Sequence, residues 1–272
     1  MIFQLPVASS QLPARKTDNI SVSALRASMR NLAFVFTVVL LWSLLGWGGA
    51  PPQKPTDAGS LDAVLKKMDA TAASFRTTQA EFEWDNYQKV IHEVDDVETG
   101  TIYYRRSGKD IEMMAQVKKV GGSLTTLKPE PKFVLFSKGV IRMYLPTPDQ
   151  VTLYDLGKNK ADFESYLVLG FGGSGQDLLK TFDVTYLGAQ TAGGVSAAEL
   201  QLIPKSEKVR GTFVKILLWI DLDKGISVQQ QFFDPQGNYR LTKYSSIQLN
   251  GKLPDVFKLK TTPKTTTIST GG

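Results

Sequence analysis

The stretch Gly211–Asn250, GTFVKILLWIDLDKGISVQQQFFDPQGNYRLTKYSSIQLN, constrains the fold more than any other part of the chain. Three runs rich in β-branched and aromatic residues are separated by two turn clusters, Asp221-Leu222-Asp223-Lys224-Gly225 and Asp234-Pro235-Gln236-Gly237-Asn238. Proline presets φ and glycine tolerates positive φ, so both clusters read as tight connections of an antiparallel meander. Alternation puts Thr212, Val214, Ile216, Leu218, Ile220 and Leu222 on one face, and Phe213, Lys215, Leu217, Trp219 and Asp221 on the other. The first face is almost wholly apolar. The second is apolar in its middle, which predicts a cover there too, either a packed helix or a cavity.

Upstream, a helix is expected over about 61–75, capped by Ser60. Leu61, Val64, Leu65, Met68, Ala72 and Phe75 fall at helical spacing on one face. From Gln79 the period changes to two, with Phe82, Trp84 and Val90 opposite Glu83, Asp85 and Lys89. Further strands are expected at 98–106, 110–119, 131–139, 140–146 and 150–156, joined by turns at Ser107–Asp110 and Ser137–Gly139. Short helices at 158–170 and 176–182 flank Phe171-Gly172-Gly173-Ser174-Gly175. Strands resume at 184–187 and 197–203, and LPDVFKLKTTPK (253–264) reads as a last short edge. No internal repeat is present.

The fold class that follows is α+β, mainly antiparallel β. Roughly ten strands are too many for a flat open sheet, so a curved incomplete β-barrel is expected. The N-terminal helix and the short helices cover its concave side. A single domain spans 61–264, with 51–60 as a Pro-rich linker and 265–272 as a flexible tail.

The N-terminus points to export. From Met29 the chain reads MRNLAFVFTVVLLWSLLGWGGAPPQ: a basic residue, an apolar run, then small residues at Gly48 and Ala50. This matches a secretory signal peptide cleaved after Ala50, with Met29 as the true start of a leader over 1–50. The alternative is a retained anchor, since Leu32–Ala50 is 19 residues long. Removing 1–50 takes away Arg15, Lys16, Arg26 and Arg30 with Asp18, so the net charge falls from +6 to +3. The remaining basic residues are scattered, which argues against nucleic acid. With no cysteine, disulfides, thiolate metal sites and a cysteine-borne lipid anchor are excluded.

Catalytic signatures are weak. His92 is the one histidine, so a zinc site would need carboxylates for its other ligands. GFGGSGQDLLK (170–180) lacks the Gly-Lys-Ser/Thr ending of a phosphate loop. Asp95-Asp96 and Asp221/Asp223 read as solvated turn residues. We expect no enzyme, no cofactor and no metal. What is over-supplied is apolar and aromatic surface on strands, which either fills packed cores on two faces or lines a hollow suited to an acyl ligand.

Four segments, in order, resemble the LolA-type carriers of outer-membrane lipoproteins. They are the amphipathic helix ending at Phe75-Arg76-Thr77, GTIYYRR (100–106), PKFVLFSKGVIRMYLPTPDQV (131–151), and the meander 219–259 with its closing L-P-D-x-x-F-x-L. The resemblance implies an incomplete antiparallel barrel closed by helices. It further implies a periplasmic, monomeric carrier that holds lipoprotein acyl chains, or a related envelope lipid, on the way to the outer membrane. Transfer proteins at the inner and outer membranes would be its partners. A basic residue at the cavity edge maps to Arg105 or Arg106, although Ser107 stands where the family has proline. The expected cavity lining includes Trp84, Met113, Phe133, Met143 and Trp219. The first helix and the 158–182 helices form a lid hinged at Gly172, Gly173 and Gly175. Two other readings are open: a non-transporting envelope sensor or adapter of the same fold that binds a protein partner, and an enzyme using His92 with Asp95 or Asp96.

Overall fold

The computed structural model describes residues 60–108, 110–157, 166–167 and 169–270. The expected leader, cleavage site and linker, apart from Ser60, lie outside the described residues, as does most of the helix expected at 158–170.

The first helix, α1 (Leu61–Ser74), starts where its cap chemistry says it should, with Ser60 Oγ accepting from Ala63 N at 3.2 Å. Six strands follow: β1 (Thr77–Gln88), β2 (Glu93–Ser107), β3 (Asp110–Gly121), β4 (Lys128–Ser137), β5 (Val140–Leu145) and β6 (Gln150–Asp155). Next come α2 (Gly175–Thr181), β7 (Phe182–Ala192), β8 (Val195–Pro204) and the short α3 (Glu207–Arg210). The chain ends with β9 (Lys215–Asp221), β10 (Ser227–Phe233), β11 (Tyr239–Leu249) and β12 (Thr266–Thr270). All twelve strands form one sheet in the order β12-β6-β5-β4-β3-β2-β1-β11-β10-β9-β8-β7. Two meanders therefore meet side by side at the β1–β11 seam. Every pairing is antiparallel except β12 with β6. The sheet is open, with β12 and β7 at its edges, and is of the incomplete-barrel kind expected from the sequence.

Three expectations are corrected. The strands number twelve among the described residues, not about ten, and β7 runs well beyond the short segment that alternation marks. Thr266–Thr270 is a paired strand rather than a tail: Thr266 N donates to Asp149 O at 3.1 Å, and Asp149 also accepts from Thr262 and Thr265 hydroxyls at 2.7 Å each. The 253–264 segment is not an edge strand. It crosses the outer face without regular structure, packing Phe257, Leu253, Val256 and Leu259 on Tyr103, Met114 and Leu135.

Register fixes which side chains share a face. On the inner face, under α1, lie Ala198, Leu200, Leu202, Ile216, Leu218 and Ile220, all completely buried, together with Val64, Leu65 and Met68 of the helix. The turn from β9 to β10 fits beneath α1 because Asp221 Oδ1 accepts from Asp223 N (2.8 Å) and Lys224 N (3.0 Å). Gly225 sits there at φ +65°, where an added Cβ would lie 2.7 Å from Lys67 O, so only glycine fits. On the outer face Trp219 and Leu217 pack with Ala192, Ala197, Val228, Val195 and Ile247. Among the described residues, the second apolar face of the meander packs with side chains of the sheet itself and not with a helix.

Candidate functional site

The inner face of β1–β5 and β11 is the second large apolar region. Phe82, Ile102, Tyr104, Met113, Ala115, Val134, Phe136, Ile141, Met143 and Tyr244 meet there, with Trp84 at the border. Pairing carries the set across the sheet: Phe82 lies opposite Tyr244, Tyr104 opposite Met113, Met113 opposite Phe136, and Val134 opposite Met143. Among the described residues, the side chains brought to this cluster from outside the strands are Phe75, Leu156, Leu167 and Phe171.

Phe171 is the key to the region. It is fully buried, stacked on Tyr104 at 5.1 Å between ring centres and edge-on to Tyr244 at 4.7 Å. It is carried on an irregular strap, Leu169–Ser174, whose carbonyls are held at three points. Leu169 O accepts from Gln230 Nε2 (2.5 Å), Gly170 O from Ser227 N (3.0 Å), and Gly172 O from Arg106 (3.0 Å). The Gln230 amide also accepts from Tyr244 OH at 3.4 Å. Burial pushes the phenols of Tyr104 and Tyr244 well above the usual tyrosine range, so both hydroxyls stay protonated.

The glycines of the strap are there for close approach. At Gly170 (φ +76°) a Cβ would stand 2.2 Å from Ser227 Cβ, and at Gly172 (φ +90°) 2.6 Å from the Phe75 ring. Gly175, at the start of α2, rests on the Leu65 backbone of α1, where a Cβ would fall 2.7 Å from the carbonyl oxygen. Gly173 lies half-buried between them.

The expected lining residues separate into two sets. Trp84, Met113 and Met143 share the inner face. Phe133 sits on the outer face beside the 253–264 segment, 6.0 Å from the Tyr144 ring, and Trp219 lies on the outer face of β9. The structure therefore brings together three of the five. The two candidate edge arginines also part. Arg105 points outward, paired with Glu112 and stacked over Phe257 at 4.2 Å. Arg106 is the one at the inner rim, bonded to the strap and 5.7 Å from the Phe75 ring. His92 occupies the exposed β1–β2 turn rather than a strand, at φ +56°, with its ring 3.3 Å from Tyr87 OH.

At one end the apolar inner face stops abruptly at a polar cluster. Beyond Trp84, which stacks on Phe82 at 4.1 Å, come Asn86 and Arg240 on paired strands, then Asp96, Glu98 and Lys132. Arg240 lies over the Trp84 ring at 5.4 Å and donates through Nε to Asn86 Oδ1 at 2.9 Å. Asn86 donates to Asp96 at 3.0 Å, and Lys132 Nζ to Glu98 Oε1 at 2.5 Å. Burial, reinforced by Glu98, pushes the Asp96 carboxyl above its ordinary range.

Sequence reasoning named neither Phe171 as a filling side chain nor Arg240 as an inner-face residue. A signal for each exists: Phe171 is a single large ring flanked by glycines, and Arg240 has the parity of Thr242 and Tyr244.

No protein-family model matches the chain, and no curated protein matches its sequence. Solved structures overlap it at low identity. An uncharacterized conserved protein from Thermus thermophilus is 12% identical, over 77% of this chain and 98% of its own, at a TM-score of 0.48. MucB is 14% identical, over 72% of this chain and 62% of its own, at 0.44. A LolA superfamily protein from Nitrosomonas europaea is 13% identical, over 74% and 98%, at 0.36. The last belongs to the superfamily that the sequence resembles. No function follows from likeness at this level.

Proposed function

We propose that this chain is a periplasmic carrier that takes the acyl chains of a lipoprotein, or of a related envelope lipid, onto the inner face of β1–β5. The supporting observation is the manner in which that face is covered. Part of its cover is a single ring, Phe171, on a strap with no regular structure, tied by three hydrogen bonds. In this state the ring fills the space an acyl chain would take. Loading exchanges Phe171 for the chain: the strap lifts and the apolar contacts of the ring are replaced by those of the ligand. Each methylene buried contributes about 0.8 kcal/mol, so a long chain readily offsets the loss of one ring. The methionines Met113 and Met143 suit such an exchange, because unbranched thioethers repack around different shapes. Trp84 completes the lining, and Arg106 latches the strap at the rim.

The periplasmic placement rests on the leader at 1–50, and the ligand class on the resemblance stated above. One observation favours a second reading, an envelope sensor or adapter that binds a protein partner: Phe136 and Phe171 are both completely buried, so the face is filled. Native mass spectrometry and lipid extraction of the protein recovered from its own cells separate the two. Stoichiometric acyl lipid supports the carrier. A uniformly lipid-free protein that also fails to take up added acyl lipid rejects it in favour of the adapter.

A further inference from the structure

The polar end of the inner face is built in a way that packing alone does not require. Glu98 is nine-tenths buried, yet its Oε2 has no hydrogen-bond partner among the described residues, while Oε1 holds Lys132. A buried acceptor left unpaired is costly, on the order of 1–3 kcal/mol, and native proteins keep few of them. Arg240, on the neighbouring side of the same cluster, uses Nε on Asn86 and lays its plane over Trp84. Its two terminal nitrogens make no hydrogen bond to the protein among the described residues. A guanidinium fixed at Nε and over a ring, with both outer nitrogens open, is preorganised to take two oxygens of one group.

These open groups border the apolar region directly. Trp84 belongs to both: its ring stacks on Phe82 toward the apolar side and lies under Arg240 toward the polar side. Strand pairing sets Glu98 opposite Trp84, and Arg240 opposite Asn86, so all four share the inner face. The cluster carries two acids, Asp96 and Glu98, and two bases, Arg240 and Lys132. Its formal charge is balanced, which disfavours a head that brings net charge into a site partly shielded from water.

We infer that this cluster is the head-group site of the carrier, selecting amphiphiles whose polar head is net neutral and offers both an oxygen pair for Arg240 and an N–H donor for Glu98 Oε2. The inference rests on the carrier reading and narrows it: the acyl chain lies along Phe82, Met113 and Met143, and the head stops at Trp84. A bare anionic head satisfies Arg240 but repels Glu98 and Asp96. A zwitterion without N–H leaves Glu98 unpaired.

The test titrates the full chain with three lysophospholipids that share one palmitoyl chain, each below its micelle concentration, and follows binding by calorimetry. The heads are phosphoethanolamine, phosphocholine and phosphoglycerol. We expect the ethanolamine form to bind about tenfold tighter than either of the others, the worth of one charge-assisted hydrogen bond. Arg240→Met removes the partner of the phosphate oxygens, so all three heads should bind about tenfold more weakly, with the anionic phosphoglycerol form losing most, while the acyl chain still binds. Should that variant fail to fold, Glu98→Met serves instead: it leaves no oxygen to accept from the ammonium and should abolish the ethanolamine-over-choline preference. Equal affinity of the unaltered protein for all three heads overturns the head-group site and leaves the carrier standing. An ethanolamine-over-choline preference that survives Glu98→Met, or affinities that Arg240→Met leaves unchanged, overturn it as well. Binding of none of the three overturns the carrier reading, and the head-group site with it.

Discussion

The inner face carries two apolar regions of similar size that differ in what covers them. Under α1, the inner side chains of β8 and β9 are all aliphatic, with rings such as Phe182 and Phe232 only around them, and Leu200, Leu202, Ile216, Leu218 and Ile220 have no exposed surface. A regular amphipathic helix closes it, through Val64, Leu65 and Met68. Across the β1–β11 seam the other region is rich in rings and thioethers, is overlain by an irregular strap, and ends in charged groups. The first has the makeup of a core whose task is stability. The second holds a ring on an irregular strap and, among the described residues, leaves a buried carboxylate oxygen of Glu98 without a partner, features that the proposed carrier role accounts for. On the carrier reading, one sheet divides the labour between its two meanders.

The largest effect expected from that division is on stability. Leu218→Ala removes a fully buried side chain from a region that a helix and a sheet hold rigid, so the cavity cannot collapse. A loss of about 2–5 kcal/mol is expected, read as a shift in the urea midpoint. The lipid preference of the folded fraction should not change. If it does, the two regions are not separable.

Phe171→Ala should cost less than Leu218→Ala although it deletes a larger side chain. In a rigid core the order would be reversed, because phenylalanine truncations commonly cost more than leucine ones. Here the strap can relax onto the space it vacates, and the loss is bounded by the free energy of lifting it. The same variant should take up an environment-sensitive apolar dye that the parent excludes. A denaturation midpoint lower than that of Leu218→Ala, with no dye uptake, would assign Phe171 to an ordinary core.

This division was partly legible in the sequence. The Gly211–Asn250 meander was readable because local rules decide it: the turn residues at Asp221–Gly225 and Asp234–Asn238 mark where the chain reverses, and β-branched residues mark where it runs straight. The helix at 61–74 was legible for the same reason, through its cap and its period. Residues whose position depends on distant partners were not. Phe133 and Met143 have similar composition around them, yet Phe133 faces outward because its parity on β4 opposes that of Val134 and Phe136. The outward side of Trp219 follows from β9 pairing, which hydrophobicity does not report, since both faces of that strand are apolar. Thr266–Thr270 gave no strand signal of its own; Asp149, more than a hundred positions earlier, supplies the hydrogen bonds that dock it. Nothing local in the sequence joins Arg240 to Glu98, because the polar end of the inner face exists only once β1, β2 and β11 are side by side.

The smallest effect, and the one of opposite sign, concerns that polar end. Burial, with Glu98 second, raises the Asp96 pKa in the folded protein above its unfolded value. The folded state therefore holds this proton more tightly than the unfolded chain does. Stability from this group is greatest at acid pH, falls as pH rises from the unfolded pKa through the folded one, and stays lower at neutrality. Asp96→Asn removes the penalty while an amide oxygen can still accept from Asn86. At neutral pH the variant should unfold at a slightly higher denaturant concentration than the parent, and the difference should vanish below the ordinary aspartate range. Leu218 and its aliphatic neighbours would show no such gain, because they carry no group that titrates. If the substitution instead destabilises at neutrality, the cluster holds the fold together rather than being held ready for a ligand, and the contrast between the two meanders loses its strongest physical support.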